Sequence, residues 1–281
     1  MIEVTNLNDS GPGSLRVAIE SSKRRTVIFR VGGTVRLKST LEITNPYITV
    51  AGQTALGGGI ALKNDPSNHR ALIKIATHDV VMRHIRSRPG PSYGPSRSLD
   101  ALEIAAGYNI IIDHCSFSWA TDEVLSTWYE PHNITIQWSI IAEGLARRYH
   151  KEGSHGTGLL VGGRGSGRIS IHHNLLAHNR ERNPRISTNG VVDVVNNVIY
   201  NPGRWGPSHI TGYNIGNARV NYIGNYYKPG INSGSANYYV STAHPAEIFI
   251  EGNYVPRYVI RPKDQQWVVA TRHSVPPVTT T

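Results

Sequence analysis

The sequence is short of cysteine, of helical periodicity and of acidic charge, and each shortage excludes something. Cys115 is the one cysteine among 281 residues, so no disulfide can form within the chain, and packing and hydrogen bonding must hold the fold. No apolar run reaches the ~18 residues that a membrane-crossing helix needs, which argues against a membrane partner and for a soluble protein. No linker or shift in composition divides the chain. It reads as a single domain over residues 1–281, since β-architectures often exceed ~200 residues as one unit. Met1-Ile2-Glu3-Val4 lacks the basic-then-apolar pattern of a signal peptide, which leaves an intracellular protein or one whose signal has been removed. At the other end, Pro276-Pro277-Val278-Thr279-Thr280-Thr281 offers no capping element, which leaves a truncated chain or a last coil closed by a loop.

Acidic residues number 19 against 29 lysines and arginines, a formal net charge of +10 with histidine neutral. Such an excess favours an anionic partner (nucleic acid, anionic lipid or acidic polysaccharide) unless it is only a solvated basic surface. Nucleic-acid binders commonly gather positive charge in runs or on one helix. Here it is scattered, with local clusters at residues 83–88, 147–151 and 180–185, and no nucleic-acid partner is expected.

What the sequence does have is a recurrent short strand rich in β-branched residues, at residues 47–50, 80–82, 109–114, 133–136, 168–174, 191–197, 219–225 and 247–253. Positions at or just past the strand ends, Thr54, Arg86, Ser116, Ser139, Asn174, Asn197, Asn225 and Asn253, lie 32, 30, 23, 35, 23, 28 and 28 residues apart. A period of that size denotes a solenoid or a propeller. Short β-branched strands with no sustained 3.6-residue periodicity between them favour the solenoid. Stacked on successive coils, the four asparagines would bond to one another and to turn backbone, an amide ladder with a structural role. One amphipathic helix is visible, Leu15-Arg16-Val17-Ala18-Ile19-Glu20 with Ser14 as its N-cap. It would cap the first coil, whose open end otherwise exposes unpaired backbone and the apolar stack.

Three segments resemble the pectate lyase family, polysaccharide lyases built on a parallel β-helix. They are the opening Val4-Thr5-Asn6-Leu7-Asn8-Asp9-Ser10-Gly11-Pro12-Gly13-Ser14-Leu15-Arg16, then Ile111-Ile112-Asp113-His114-Cys115-Ser116, then Ile171-His172-His173-Asn174 followed by Arg182-Asn183-Pro184-Arg185. The most specific element is Arg182-x-Pro184, eight residues after Asn174, which looks like the family's catalytic arginine motif. The resemblance covers most of the chain. It implies an all-β, right-handed parallel β-helix with a short N-terminal capping helix. It also implies a secreted, calcium-dependent lyase acting on polygalacturonate (pectate) or a related acidic polysaccharide, and the chain is read as a monomer.

Cleavage of a uronate chain by β-elimination removes the proton at C5, beside the carboxylate, and expels the sugar oxygen at C4. C5 is a very weak carbon acid, so the carboxylate must be neutralised and a base placed next to the proton. Calcium suits the first task, being a hard cation held by carboxylate oxygens with positions left for substrate. The candidate ligands are Asp100, Asp122 and Glu123, which flank the strand at 109–114. The resemblance matches Asp100 with one family calcium aspartate and Asp122 with a second acid. Ser98 and Ser126 stand where the family often carries further acids. Solvated loop acids are the alternative reading.

The resemblance makes Arg182 the base and Arg185 the holder of a substrate carboxylate. A guanidinium, with a pKa above ~12, is a poor base on ordinary grounds. The role requires a strongly cationic pocket and alkaline medium, which Arg180 and calcium would supply. The family's second motif arginine falls at Ser187, and Arg185 is its stand-in. Where the family places a substrate-binding lysine, this chain has Thr157, with Lys151 and His155 nearby as stand-ins or plain loop residues. Asp113 and His114 read as a structural pair fixing a turn.

Two rivals remain open. A glycoside hydrolase on the same fold would need carboxylates converging as acid and base, and no such cluster stands out on consecutive coils near the arginines. A non-catalytic carbohydrate-binding or virion-spike β-helix would use the basic groove without cutting.

Overall fold

The computed structural model describes residues 1–91, 99–146, 154–203, 208–211, 218–233, 240–242 and 246–255, with the backbone of Val269–Thr271. The eight recurrent β-branched segments all lie on one sheet of ten parallel strands, running from Ile2–Val4 to Ala246–Glu251. Two further parallel sheets, of nine and eight strands, complete the structure. Neighbours within a sheet are separated in sequence by strands of the other two, so each turn of the chain feeds the three sheets in succession. The solenoid is a parallel β-helix.

Alternation explains the core. On the ten-stranded sheet Val80, Ile110, Ile134, Ile169, Val192, Val220 and Ile248 pair in register from coil to coil and are all buried. Fully burying such a side chain is worth roughly 1.5–3 kcal/mol, and β-branched residues suit the pleated surface. Where the ten-stranded sheet turns into the eight-stranded one, the asparagines form the expected ladder. The Asn197 side chain donates to the Ile171 carbonyl at 2.8 Å and to Asn225 Oδ1 at 3.0 Å, while its own oxygen accepts from the Asn174 backbone and side chain at 2.9 and 3.0 Å. The same pattern runs on to Asn253.

Towards the N-terminus the ladder passes through Ser139 to Cys115, whose N–H donates to Ser139 Oγ at 3.0 Å. This corrects the expected register. Ser116 and Arg86 lie one residue beyond the ladder, in strands of the eight-stranded sheet where they pair with each other. Burial raises the Cys115 thiol pKa to about 12, so this cysteine is a packing residue.

The helix Leu15–Glu20 forms where expected, with Ser14 Oγ accepting from the Val17 N–H at 3.3 Å and Leu15, Ala18 and Ile19 buried against the first coil. Its terminal carbonyls are met by Arg25, which donates to Ala18 and Ile19 at 3.2 and 2.6 Å. Arg16 ties the opening motif down through Asp9 Oδ1 at 2.8 Å and the Thr40 carbonyl at 2.9 Å.

Candidate active site

The nine-stranded sheet stacks Leu102–Ala106, Glu123–Thr127, Thr157–Gly163 and Arg185–Thr188 as successive neighbours. Parallel stacking brings the segments entering these strands together, and those segments carry Asp100, Asp122 with Glu123, His155 and Arg182. The three carboxylates are buried. They therefore converge on consecutive coils beside an arginine, contrary to the expectation that no carboxylate cluster would be found there. Residues that lie 82 positions apart in sequence, from Asp100 to Arg182, meet because the coil period repeats.

Burial of several acids requires partners, and each acid has one. Asp122 Oδ1 lies 2.7 Å from His155 Nε2. Glu123 pairs with the Arg182 guanidinium. Asp100 accepts from Ser126 Oγ at 2.5 Å and from the Glu123 N–H at 3.2 Å. Burial, and then the charge of Asp122, push the Asp100 carboxyl well above the ordinary carboxylate range, against the opposing effects of Ser126 and Arg182. The cluster thus holds more negative charge than its setting favours, a condition that a bound cation relieves.

A metal test follows from the donor set. Asp122, Glu123 and His155 each offer a ligand atom, and these atoms lie within 4.8 Å of one another. The two carboxylates are hard oxygen donors that suit calcium. The imidazole nitrogen suits it less well and is already engaged by Asp122.

The turn carrying Arg182 is fixed by backbone. The Gly158 N–H donates to the Glu181 carbonyl at 2.9 Å and the Leu159 N–H to the Arg182 carbonyl at 2.7 Å. Arg182 itself has φ +62°, a left-handed conformation that arginine seldom adopts without such restraint. Gly158 is required there: a Cβ would approach the Arg182 carbonyl oxygen to 2.6 Å. Asn179 Nδ2 donates to Asn183 Oδ1 at 3.0 Å, bracing the same turn.

The other expected site residues divide. Arg185 is half-buried in its strand, with its Nε donating to Thr211 Oγ1 at 3.2 Å. Ser187, where the resemblance leads one to look for a second arginine, is buried in that strand. His155, a stand-in for the substrate lysine or a plain loop residue by sequence, is buried against Asp122, where a buried carboxylate requires a partner. Lys151 and Ser98 lie outside the described residues. Asp113 and His114 form the structural pair expected of them, with His114 Nδ1 2.6 Å from Asp113 Oδ1. In the sequence Ser126 is only a departure from the family pattern, and its role as the hydroxyl partner of Asp100 emerges from the fold alone.

No protein-family model matches the chain. It is 38% identical over 251 residues to the probable pectate lyase C of Aspergillus oryzae, covering 89% of this chain and 55% of that protein. The probable pectate lyase C of Aspergillus flavus is 40% identical over 227 residues, 81% of this chain and 49% of that protein. The chain thus spans about half the length of these curated relatives. Among solved structures, jun a 1, the major allergen from cedar pollen, superposes with a TM-score of 0.68 at 15% identity, over 99% of this chain and 80% of the allergen. A pectate lyase from Paenibacillus gives a TM-score of 0.51 at 15% identity, over 87% of this chain and 68% of that enzyme. By sequence over most of its length, and by a shared fold, this chain is a relative of the pectate lyases.

Proposed function

We propose that this chain is a pectate lyase-like enzyme that cleaves polygalacturonate or a related acidic polyuronate by calcium-assisted β-elimination, acting outside the cell. The observation that carries the reading is the delivery of the Arg182 guanidinium into the buried Asp100, Asp122 and Glu123 cluster, in a chain whose curated relatives are named pectate lyases.

Asp122 and Glu123 are the residues that would hold calcium, with Asp100 supporting them through the Glu123 backbone. When bound, the ion neutralises the substrate carboxylate and so acidifies C5. Arg182 must first lose a proton, which its ion pair with Glu123 opposes; in the neutral form its free nitrogen takes the C5 proton, the C5–H electrons form the C4–C5 double bond, and the C4–O bond breaks. The departing oxygen then gains a proton from solvent. Arg185, on the same sheet one strand beyond Thr157–Gly163, holds a second carboxylate through its planar fork. His155 is a positioning residue that orients Asp122.

Incubation with polygalacturonate tests the reading directly. Elimination yields an unsaturated, ultraviolet-absorbing end at each cut. A hydrolase yields new reducing ends without that absorbance, and a carbohydrate-binding or virion-spike protein yields neither.

A further inference from the structure

At the exit ends of strands Glu123–Thr127 and Thr157–Gly163, where the nine-stranded sheet turns into the ten-stranded one, the chain builds a cleft of about 650 Å³ lined by Tyr108, Trp128, Tyr129 and backbone glycine. We propose that this cleft is a separate carbohydrate subsite that takes one pyranose ring of a polysaccharide, with the apolar C–H face of the ring laid on Trp128. Strand geometry separates it from the acid and arginine cluster. From Thr157, at the entering end of its strand, to Gly162, under Trp128, is five residues, or about 17 Å. One sugar ring cannot touch both.

The features of the cleft are those of a preformed platform. Gly162 pairs into the sheet directly beneath the Trp128 ring, and a Cβ there would come within 2.2 Å of Trp128 Cζ3. The ring therefore rests against bare backbone, and its orientation is fixed before any ligand arrives. Trp128 nonetheless remains 38% exposed and Tyr129 61%, so two large aromatic faces stay in water within a concavity. Tyr129 has φ +74°, and on the next coil the corner opposite it is Gly163, at φ +106°, where a Cβ would strike the Tyr129 carbonyl oxygen at 1.6 Å. A tyrosine thus occupies a left-handed corner that the neighbouring coil fills with glycine, at a conformational cost that packing does not repay, since the side chain lies in solvent.

Chemistry selects the occupant. Aromatic faces combined with the polar rim of Glu130, His132 and Arg164 suit a ring with one apolar face and a hydroxyl-bearing edge, which describes a pyranose. The ring could belong to the acidic main chain or to an uncharged sugar, because the stacking face is common to both. Trp128 follows Ser126, the hydroxyl partner of Asp100, by two residues, so by strand alternation cleft and proposed active site share one face of the sheet, which favours a polymer that reaches both. The subsite rests on the lyase reading only for that polymer, and a direct binding measurement is independent of turnover.

Isothermal titration of the full chain with hexagalacturonate, and separately with uncharged galactotetraose, tests it, with melting curves confirming that each variant is folded. At least one probe is expected to bind with an affinity that Trp128→Ala and Tyr129→Ala each lower tenfold or more, while Trp128→Phe lowers it less than threefold. A Trp128-dependent loss for hexagalacturonate assigns the ring to the acidic chain, and for galactotetraose to a neutral sugar. Unchanged affinity for both probes in Tyr129→Ala and Trp128→Ala overturns the subsite, as does failure of both probes to bind the unmodified chain. A chain that lacks lyase activity would still report, so loss of that reading and loss of this one are distinguishable.

Discussion

The Arg182 guanidinium reaches past the intervening strand Thr157–Gly163 to pair with the Glu123 carboxylate, and both side chains are largely buried, at 15% and 7% exposure. Adjacent strands lie about 4.8 Å apart, so the pair spans roughly 10 Å of sheet. Glu123 is thereby the arginine's counter-ion, and the proposed function asks the same carboxylate to hold calcium.

Metal removal probes that double role. Chelation is expected to abolish release of unsaturated product and added calcium to restore it. Calcium at a hundredfold excess over its Kd should also stabilise the folded chain by about 2.7 kcal/mol, seen as a rise of several degrees in Tm, and Asp122→Asn should lose most of that rise. Full activity in excess chelator would remove calcium from the account.

The turn beneath Arg182 offers a test that leaves every charged group in place. Gly158→Ala puts a methyl group into the Arg182 carbonyl, and overpacking of this kind costs about 1–3 kcal/mol. Turnover should fall at least tenfold through displacement of the guanidinium. Normal turnover with a normal melting curve would show that the turn relaxes without moving it.

Asp113 gives a pH-dependent prediction away from the site. Burial pushes its carboxyl upward, but Gln137, His114 and Arg83, at 3.0, 2.6 and 2.9 Å, outweigh that and hold it below the ordinary value. A depressed carboxylate stabilises the fold above the unfolded pKa of ~3.9 and loses that contribution as the pH falls through the folded value. Asp113→Asn should therefore cost about 2 kcal/mol at neutral pH, and its melting curve should converge with that of the unmodified chain in acid. A gap independent of pH would count against the assignment.

One sheet of the three was legible in the sequence, for a physical reason. Strands of the ten-stranded sheet alternate buried β-branched residues with outward polar ones, as in Gly167–His172, where Ile169 and Ile171 are buried between Arg168, Ser170 and His172, and several end in a ladder asparagine. Most strands of the eight-stranded sheet, such as Ser116–Ser118 and Ile140–Ala142, have only three residues and are too short to show a period. In the nine-stranded sheet all five residues of Glu123–Thr127 are buried, and with both faces covered the alternation disappears. The candidate acids stand out by flanking the 109–114 strand and Arg182 by its motif, but their pairing is not legible in the sequence. Contacts such as His155 with Asp122 depend on which coil stacks on which, and loop lengths between coils vary. Trp128 was missed because its meaning lies in Gly162, 34 residues later and one coil away.

The most direct measurement is the rate of unsaturated product release from saturating polygalacturonate by Arg182→Lys beside the unmodified chain, with calcium present and melting curves matched. If Arg182 takes the C5 proton, lysine, lacking the planar fork and the reach across the strand, should lower turnover by about a hundredfold or more while substrate affinity changes far less. Turnover within threefold of the unmodified chain would contradict the account and place the base elsewhere.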